Sequence, residues 1–592
     1  MALAKLKIPG GIQADRTDYS TGPFWKSGNK VRFQQGQPEP VGGWETHSDF
    51  NTTVGTPSAI KAWRDLSDND LLAIGTEKRL HVVKNGTIYD ITPISSTVEN
   101  TITFDTTNLS AVVNVNHTSH PVLAGDYVVI RNAAAVGGIT PDGTYEVTEY
   151  IGANDFTITH SSAATSSVSG GGGAATDIDY LLPSGTALPT PGLGWGADTW
   201  NSGTWGDPAS NSTITLDAAH WSFDLWGEDL IANRRGRGIY TWNASGGTGT
   251  RATAVTNAPT TNTWIQVSVP DRHLISFGAH DGSNADPMNI RWTTQEVNTT
   301  WTPSSTNTAG SQRLHLGDRL IASIQTKDQT LVWTNEALFG MLFSGDPFTF
   351  TFRPLSTGSE PLGQNAAVDQ DGVVFWMGRD NFHVYTGREQ VLPCPVRDAV
   401  YNDLNGDVSS NVFGGVNSSF TEIWWHYPSL ASSDFPDKYV TYNWVTQEWA
   451  LGSLGRVVWS DAESWLDKPF AYDSSGVFYF HEKGTNAAGS ALNWSIYSGV
   501  LEVPEAGDQL FYVDRFVPDV EQQTGNITFT VYYRRYPNST ENSKTGTIST
   551  TTTKLNKRVR GRQLRFGYSS TEVDSFAKMG DLRADWKPDG RR

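Results

Sequence analysis

The residues of this 592-residue chain that could do chemistry stand in incomplete patterns. His481 and Glu482 begin the motif of a zinc-binding helix, but the second histidine of that motif is missing. His117 and His120 form a pair without a third ligand close by in the sequence, which favours a turn over a metal site. Phosphate-binding loops and nucleophile elbows are absent from the sequence. We therefore expect neither a cofactor nor a metal ion.

Two further features have simple structural explanations. Gly192, Gly194 and Gly196 resemble half of a dinucleotide-binding fingerprint, but no helical pattern follows them. Cys394 stands between two prolines and is best explained as a small buried residue. Because the chain contains no other cysteine, an internal disulfide is excluded, and nothing points to secretion through an oxidising compartment.

Glycan hydrolysis needs two carboxylates that face one cleft, and the 62 acidic residues do not exclude such a pair. The repeat typical of sialidase propellers is nevertheless missing. In Asp473–Gly476 the glycine comes one position late, and in Asp371–Gly372 it comes one position early. The sequence therefore favours a protein that is not an enzyme, with a glycan-binding or glycan-cleaving propeller kept as an alternative.

The elements that would position any site are β-strands in a repeated unit. Each unit pairs two apolar runs across a short polar turn, as Leu71–Ile74 does with Leu80–Val83. Seven such units occur, and from position 230 onward they start at 230, 274, 320, 373, 423 and 470. This spacing is typical of propeller blades. The sequence predicts an all-β protein built on a β-propeller platform of six or seven blades, with an inserted small β domain and a C-terminal β-sandwich.

The long gap between the first two units predicts the insertion. Alternating runs indicate four or five strands there, and Ser169–Gly173 has the composition of a flexible linker. The unit at 470–480 is weak and could instead belong to the junction with the sandwich. The predicted divisions are an extended segment that closes the propeller (1–60), the first blade (61–93), the insert (94–183), the remaining blades (184–495) and the sandwich (496–592).

Local patterns add two expectations. Trp195, Trp200 and Trp205 recur every five residues, which is the period of neither a helix nor a strand, so we expect them to anchor successive turns. One short helix is predicted over Pro395–Leu404, where apolar residues share a helical face.

Charge is distributed unevenly along the chain. The formal net charge is −18, from 44 basic and 62 acidic residues. Residues 501–592 contain 15 basic and 12 acidic residues, a net charge of +3, which leaves −21 on residues 1–500. An acidic body repels nucleic-acid phosphates, so any DNA would pass rather than bind. A cluster of cations near the C-terminus indicates either a solvated loop or a contact with an acidic neighbouring subunit: Lys554, Lys557, Arg558, Arg560, Arg562 and Arg565.

Several short patterns occur in an order that resembles the nozzle proteins of short-tailed bacteriophages, also called tail tubular protein B or DNA-stabilisation proteins. The resemblance spans nearly the whole chain except the insert and rests on the following segments: Ile8–Gly11, Gly28–Phe33, Gly42–Trp44, the Trp-Gly stretch 193–206, Trp226–Ala232, Val391–Val396, Val517–Val520, Gly561–Gln563, Gly580–Arg583 and Pro588–Arg592. The chain departs from the family pattern in the insert and at Asn201 and Ser202.

The resemblance implies a homohexamer at the distal end of a virion tail, below an adaptor ring and a portal, often in contact with fibres or spikes. Double-stranded DNA would pass through it, and no catalytic residue is carried over. No apolar run suits a signal peptide or a membrane span, so we expect synthesis and assembly in the cytoplasm of a bacterial host. A cellular β-propeller interaction scaffold is a second alternative.

Overall fold

The computed structural model describes residues 3–15, 17, 23–52, 54–173, 175–189, 217–269, 271–282, 284–345, 348–432, 434–502 and 509–590. It divides the chain into two compact units. The terminal unit consists of Met1–Asn51, Leu316–Ser344 and Phe350–Arg592, and the middle unit consists of Thr52–His315 and Gly345–Thr349. No helix among the described residues is long and apolar enough to cross a membrane.

The chain begins with five short strands, all in the terminal unit: β1 (Leu3–Leu6), β2 (Trp25–Asn29), β3 (Val31–Gln34), β4 (Gln37–Pro40) and β5 (Trp44–Thr46). A single 3-10 turn, Ser48–Phe50, follows them. These strands do not form one sheet. β1, β2 and β5 each join a sheet made by later parts of the chain, and β3 pairs with β4.

The middle unit contains three four-stranded antiparallel sheets, each ordered as it runs along the chain. Blade 1 consists of β6 (Pro57–Arg64), β7 (Asp70–Thr76), β8 (Leu80–Lys84) and β9 (Thr87–Asp90). The insert follows with β10 (Ile94–Glu99), β11 (Thr103–Thr106), β12 (Val112–Asn116), β13 (Tyr127–Arg131), β14 (Gly143–Gly152), β15 (Asp155–Thr159), β16 (Val168–Gly171) and β17 (Asp177–Leu181). Blade 2 consists of β18 (Trp221–Trp226), β19 (Asp229–Arg234), β20 (Ile239–Trp242) and β21 (Thr253–Ala254), and blade 3 of β22 (Trp264–Val267), β23 (Leu274–Phe277), β24 (Asn289–Trp292) and β25 (Gly310–Arg313).

The insert has more strands than its sequence pattern predicts. Its eight strands form one sheet in the order β10-β17-β13-β14-β15-β12-β11-β16, around a core that includes Phe104, Phe156 and Tyr180. The expectation of a flexible linker at Ser169–Gly173 is wrong, because β16 pairs with β11 there. A side chain at Gly171 would meet Val136 and one at Gly172 would meet Phe104, so these two glycines permit close packing.

The terminal unit contains four more sheets of the same kind. Blade 4 consists of β26 (Leu320–Gln325), β27 (Thr330–Thr334), β28 (Ala337–Phe343) and β29 (Phe350–Thr357), and blade 5 of β30 (Ala367–Gln370), β31 (Val373–Met377), β32 (Phe382–Tyr385) and β33 (Glu389–Leu392). Blade 6 consists of β34 (Phe413–Asn417), β35 (Glu422–Tyr427), β36 (Lys438–Asn443) and β37 (Trp449–Ser453). Blade 7 consists of β38 (Val458–Ser460), β39 (Phe470–Tyr472) and β40 (Phe478–His481), with β5 as its fourth strand.

These seven sheets identify the fold as an all-β protein of the β-propeller class, with an inserted β domain and a C-terminal β-sandwich. The assignment of 470–480 to the sandwich junction is wrong, because its strands β39 and β40 belong to blade 7. The N-terminal segment completes that blade, with Trp44, Glu45 and Thr46 paired to β40. The predicted helix is shorter than expected: α1 spans Arg397–Tyr401.

Tryptophan side chains tie neighbouring blades together. Within the middle unit, the Trp221 indole donates a hydrogen bond to the Thr76 carbonyl of blade 1 at 2.7 Å. Within the terminal unit, the Trp459 indole of blade 7 donates to the Val416 carbonyl of blade 6 at 2.9 Å. Because a buried indole needs a partner for its N–H, these large apolar side chains also fix the register between blades.

The sandwich combines both ends of the chain. One sheet has the order β1-β50-β43-β47 and the other has β2-β41-β48-β45-β46, with β42 beside β48. Phe516 of one sheet packs against Phe529 of the other, with ring centroids 5.2 Å apart. The strands are β41 (Trp494–Ser498), β42 (Leu501–Glu502), β43 (Phe511–Val517), β44 (Val520–Thr524), β45 (Ile527–Arg534), β46 (Asn542–Ile548), β47 (Val559–Gly561), β48 (Gln563–Ser570), β49 (Phe576–Met579) and β50 (Leu582–Pro588).

Replacing Gly43 with alanine should destabilise the closure of blade 7. A Cβ atom at Gly43 would lie 2.4 Å from the Asn486 carbonyl oxygen and 2.5 Å from its amide nitrogen. Backbone atoms cannot move aside as a side chain can, so we expect a loss of about 1–3 kcal/mol in the free energy of unfolding, measured by urea denaturation. Gly406→Ala is the matched control, since a Cβ there meets nothing within 4 Å. Equal stability of the two variants would contradict this account.

Candidate functional site

A buried ionic cluster, the Arg32 cluster, joins the N-terminal segment to blades 6 and 7. The Arg32 guanidinium donates through Nε to Glu422 Oε1 at 3.0 Å and through Nη2 to Glu422 Oε2 at 3.1 Å. It also donates through Nη1 to Glu482 Oε2 at 2.9 Å. Phe420 lies against the guanidinium, 3.6 Å from ring centroid to Cζ. The Arg32 side chain is only 2% exposed, so these contacts replace water almost completely.

Both carboxylates of the cluster are held by further donors. The Trp424 indole donates to Glu422 Oε2 at 3.0 Å, and the Asn417 amide donates to Glu482 Oε1 at 2.9 Å. Desolvation raises the pKa of Glu422 to about 7, in spite of the attraction of Arg32. These two acids are close together, but they are buried around an arginine rather than open to a cleft. The arrangement links β3 to blade 6 and to the end of blade 7. It differs from the two carboxylates of a glycosidase, which face one open cleft.

The histidine patterns of the sequence do not form a metal site. His481 Nε2 accepts a hydrogen bond from Arg456 Nε at 2.9 Å, while Glu482 belongs to the Arg32 cluster. His117 Nδ1 lies 2.5 Å from the Tyr180 hydroxyl within the insert. Across the part of the chain that the structure describes, no group of three or more histidine, cysteine, aspartate or glutamate side chains could hold a metal ion.

The remaining site predictions fall in different places. Trp195, Trp200 and Trp205 lie outside the described residues, as does Gly192–Gly196. Cys394 is half-buried, and burial raises the pKa of its thiol. The basic cluster lies between and on strands of the sandwich, as expected, but its charges are partly neutralised within the chain.

Three of those cations have acidic partners in the sandwich. Arg558 Nε donates to Asp514 Oδ1 at 3.0 Å, Arg565 Nε donates to Glu541 Oε1 at 2.8 Å, and Arg560 pairs with Asp589. Arg562 lies over the Tyr536 ring at 4.8 Å. Lys554 and Lys557 complete the cluster. A contact with another subunit therefore remains a prediction, and it would have to compete with these internal pairs.

Sequence reasoning did not identify a groove in the terminal unit, here called the blade-five groove. It has a volume of about 780 Å³ and lies beside blade 5 and the turn between β36 and β37. Three glutamines line it: Gln370, Gln390 and Gln447. Its lining residues are separated by up to 79 positions in the chain, from 370 to 449, so no local sequence motif predicts the groove.

Blade 5 supplies one wall of the groove. Val368, Phe375, Val384 and Gln390 are successive partners across its four strands and therefore share one face of the sheet. The last three of them line the groove. This wall therefore combines the apolar side chains of Phe375 and Val384 with the carboxamide of Gln390 on the outer strand.

The β36–β37 turn supplies the opposite wall and is tightly held. The Asn443 side-chain oxygen accepts hydrogen bonds from the backbone N–H groups of Val445 and Thr446, both at 3.0 Å. The backbone N–H of Trp444 donates to the Thr421 carbonyl at 3.1 Å. Gln447 has a φ of 61°, a left-handed conformation that its backbone hydrogen bond to the Asn443 carbonyl supports at 2.8 Å. Trp444 and Gln447 therefore reach the groove from a preorganised turn.

Comparisons with known proteins give little beyond the fold. No protein-family model matches the chain, and no curated protein matches it. Among solved structures, it is similar to PorZ of Porphyromonas gingivalis at 9% identity and a TM-score of 0.30, covering 94% of this chain and 86% of that one. It is similar to the phage phi92 endosialidase at 12% identity and a TM-score of 0.20, covering 66% of this chain and 55% of that one, so it spans about half of that protein.

A third similar structure is the exo-beta-1,3-galactanase of Phanerochaete chrysosporium, at 10% identity and a TM-score of 0.22, covering 64% of this chain and 99% of that one. TM-scores of this size support no functional inference for the present chain.

Proposed function

We propose that this protein is a structural subunit of the distal nozzle of a short phage tail. Six copies would form a ring that lines or closes the channel through which double-stranded DNA leaves the particle. The ring would be mounted below an adaptor ring and the portal, and fibres or spikes could attach to it. The protein would be assembled in the bacterial cytoplasm and would act in the virion without an enzymatic activity.

The observation that carries this proposal is the position of the segments that resemble the nozzle family. Most of those that fall within the described residues lie in the terminal unit, where they hold one another in place. The Ile12 backbone N–H, just after the Ile8–Gly11 segment, donates to the Trp449 carbonyl at 2.8 Å. Arg32 of the Gly28–Phe33 segment forms the Arg32 cluster, and the Gly43 N–H donates to the Gly484 carbonyl at 2.8 Å.

The C-terminal segments take part in the same construction. Leu582 and Arg583, from Gly580–Arg583, pair with Leu6 and Lys5 of β1. The Gly580 N–H donates to the carbonyl of Asp519, which lies in Val517–Val520, at 2.8 Å. The segments that resemble the nozzle family thus stabilise the fold, which is what a structural ring subunit requires. In an enzyme we would expect such segments to surround a reactive cleft.

The charge distribution supports the handling of DNA without binding. Residues 1–500 have a net charge of −21, and the insert at 94–183 contains nine acidic residues and one basic residue, Arg131. An acidic channel wall would repel the phosphates of the duplex and leave it centred and mobile. In a solved ring, a channel surface made mainly of lysine and arginine would contradict this mechanism.

Electron microscopy of the phage particle with antibody-gold against this chain tests the proposal. We expect labelling at the tail tip and a six-fold ring in averaged end views. A chain absent from the particle would refute the proposal and favour a cellular scaffold. Clearing of a host capsule or lipopolysaccharide by the purified chain in a halo assay would favour the glycan-cleaving alternative instead.

Analytical ultracentrifugation tests how the ring forms. If the adaptor ring is needed as a template, the purified chain should sediment as a monomer of about 65 kDa and form larger species only with the adaptor. Spontaneous hexamers of the chain alone would contradict templating but not the nozzle itself.

A further inference from the structure

The proposal of a ring does not depend on the blade-five groove. We propose that it binds a neutral oligosaccharide. At about 780 Å³ the groove falls within the range of roughly 300–1,000 Å³ that small-molecule sites occupy. It is therefore large enough for a few sugar rings and too small for a folded partner.

The side chains of the groove match the two surfaces of a sugar. A pyranose ring has an apolar C–H face that packs on aromatic rings and a rim of hydroxyl groups that both donate and accept hydrogen bonds. Trp444 is half-buried and supplies aromatic surface at one wall, while Tyr442, another lining residue, is only 5% exposed. The carboxamides of Gln370, Gln390 and Gln447 each offer a donor and an acceptor, as hydroxyl groups require.

The charge of the groove favours a neutral ligand. No lysine or arginine occurs among the described residues that line it. The one carboxylate, Asp371, has Lys327 Nζ at 3.8 Å from its Oδ1 atom. Phosphorylated, sulfated or sialylated ligands would therefore find no cation among the lining residues, since Lys327 is paired with Asp371, and a cationic ligand would face an acid that is already partnered.

Beyond the end of the outer strand β33, the groove offers few backbone groups to a peptide strand. An added strand needs free backbone N–H and C=O groups along a sheet edge. Pro393 and Pro395, which line the groove beyond β33, have no backbone N–H. The Pro393 carbonyl accepts a hydrogen bond from the Trp449 indole at 3.1 Å, and the Pro395 carbonyl accepts one from the Asp15 N–H at 3.2 Å. A polyproline peptide binds without backbone pairing to a sheet edge, so a proline-rich peptide is included as a comparator in the experiment below.

The walls are fixed before any ligand arrives. Trp449 packs on Tyr442 with ring centroids 4.8 Å apart, and Phe375 of the facing wall lies 6.0 Å from Tyr442. These contacts and the hydrogen bonds of the β36–β37 turn hold the site in one conformation. A ligand would therefore bind without the entropic cost of ordering these side chains.

Saturation-transfer NMR and isothermal titration calorimetry on the full chain test this inference. The probes are neutral hexasaccharides of glucose, mannose and galactose, with polysialic acid and a proline-rich decapeptide as comparators. We expect saturable binding of at least one neutral hexasaccharide and none of the comparators. Absence of binding by all neutral probes, or binding of a comparator in their place, would overturn the proposal.

Variants locate the site. The double variant Gln390→Ala, Gln447→Gly removes two carboxamides from exposed positions and keeps the left-handed turn, since glycine accepts a positive φ. It should weaken binding by about tenfold or more. Trp444→Leu should have a similar effect. Val445→Ala is the matched control, because Val445 lies on the same turn, is 66% exposed and is not among the lining residues.

A double variant that binds as tightly as the original chain would overturn the placement of the ligand in this groove. Thermal unfolding of each variant shows that the fold is intact, and the glutamine variant provides the decisive result if Trp444→Leu does not fold. Failure of this experiment would leave the ring proposal untouched, since binding is measured on the isolated chain.

Discussion

Replacing Arg32 with methionine should lower the free energy of unfolding of the terminal unit by about 3–5 kcal/mol. The substitution leaves Glu422 and Glu482 buried without their cation, and their side chains are only 4% and 8% exposed. Two carboxylates that cannot reach water must then either stay ionised near each other or take up protons. Urea denaturation followed by tryptophan fluorescence measures the loss.

Two control variants distinguish the cost of leaving buried charges unpaired from the cost of losing the contacts of one side chain. Arg558→Met removes an exposed pair, with side chains 72% and 46% exposed, and should cost no more than about 1 kcal/mol. The triple variant Arg32→Met, Glu422→Gln, Glu482→Gln removes the charges together and should recover much of the stability. If the triple variant is no more stable than Arg32→Met, the electrostatic explanation is wrong.

The same variant should loosen the N-terminal segment before the rest of the unit. Arg32 links β3 to Glu422 of blade 6, 390 residues later, and to Glu482, 450 residues later. Hydrogen exchange should therefore rise in 25–46 at conditions where blade 4 remains protected. Uniform loss of protection across the unit would contradict a local fastening role.

The strands of the blades could be predicted from the sequence because their signal is local. Apolar runs such as Val373–Trp376 alternate with polar turns, and most runs became central strands of a blade, whereas the run that starts at 320 became the outer strand β26. The fourth strand of blade 7 carries no such signal, since Trp44–Thr46 is three residues long and pairs with residues more than 430 positions away. Its place follows from the partner strand, which the sequence alone does not identify.

The insert shows where composition misleads. Gly170–Gly173 has the composition of a linker, yet the chain there pairs with β11 or packs against it. Glycine is used where a side chain would collide with Phe104 or Val136, and that reason is visible only when the neighbours are known.

The candidate sites were the least predictable part. Arg32 looked like one residue of a short N-terminal pattern, and Glu482 looked like part of an incomplete zinc motif. Their contact depends on the closing of blade 7, in which β5 pairs with β40 and Glu482 follows directly after β40. The blade-five groove likewise combines Gln390 of an outer strand with Gln447 of a turn in the next blade. Such combinations depend on the packing between blades, which short patterns do not encode.

Acidification should destabilise the terminal unit through two buried histidines. Desolvation, followed by the charge of Arg456, lowers the pKa of His426 to about 3 and that of His481 well below 6.5. His426 stacks on Phe413 at 4.8 Å, and His481 must stay neutral to accept the hydrogen bond from Arg456. Since both folded-state values lie below the unfolded value of about 6.5, the folded state binds fewer protons and loses stability as the pH falls from 6.5 towards 4.

Glu422 acts in the opposite direction within an overlapping range. Its pKa is raised to about 7 by desolvation, so its contribution to stability declines as the pH rises from about 4.5 to 7. Two histidines with large downward pKa shifts outweigh the large upward shift of Glu422 and the smaller upward shifts that desolvation causes at Glu39, Asp369 and Glu448. We therefore expect a net loss of stability on acidification, seen as a lower urea midpoint at pH 5 than at pH 7.

The variant His481→Gln isolates the histidine contribution. A glutamine oxygen can accept the Arg456 hydrogen bond without titrating, so the variant should lose up to about 1.4 kcal/mol less stability per pH unit between pH 6 and 4.5. If stability falls equally steeply with pH in the original chain and in His481→Gln, then His481 has the same pKa in the folded and unfolded states. That result would contradict the prediction.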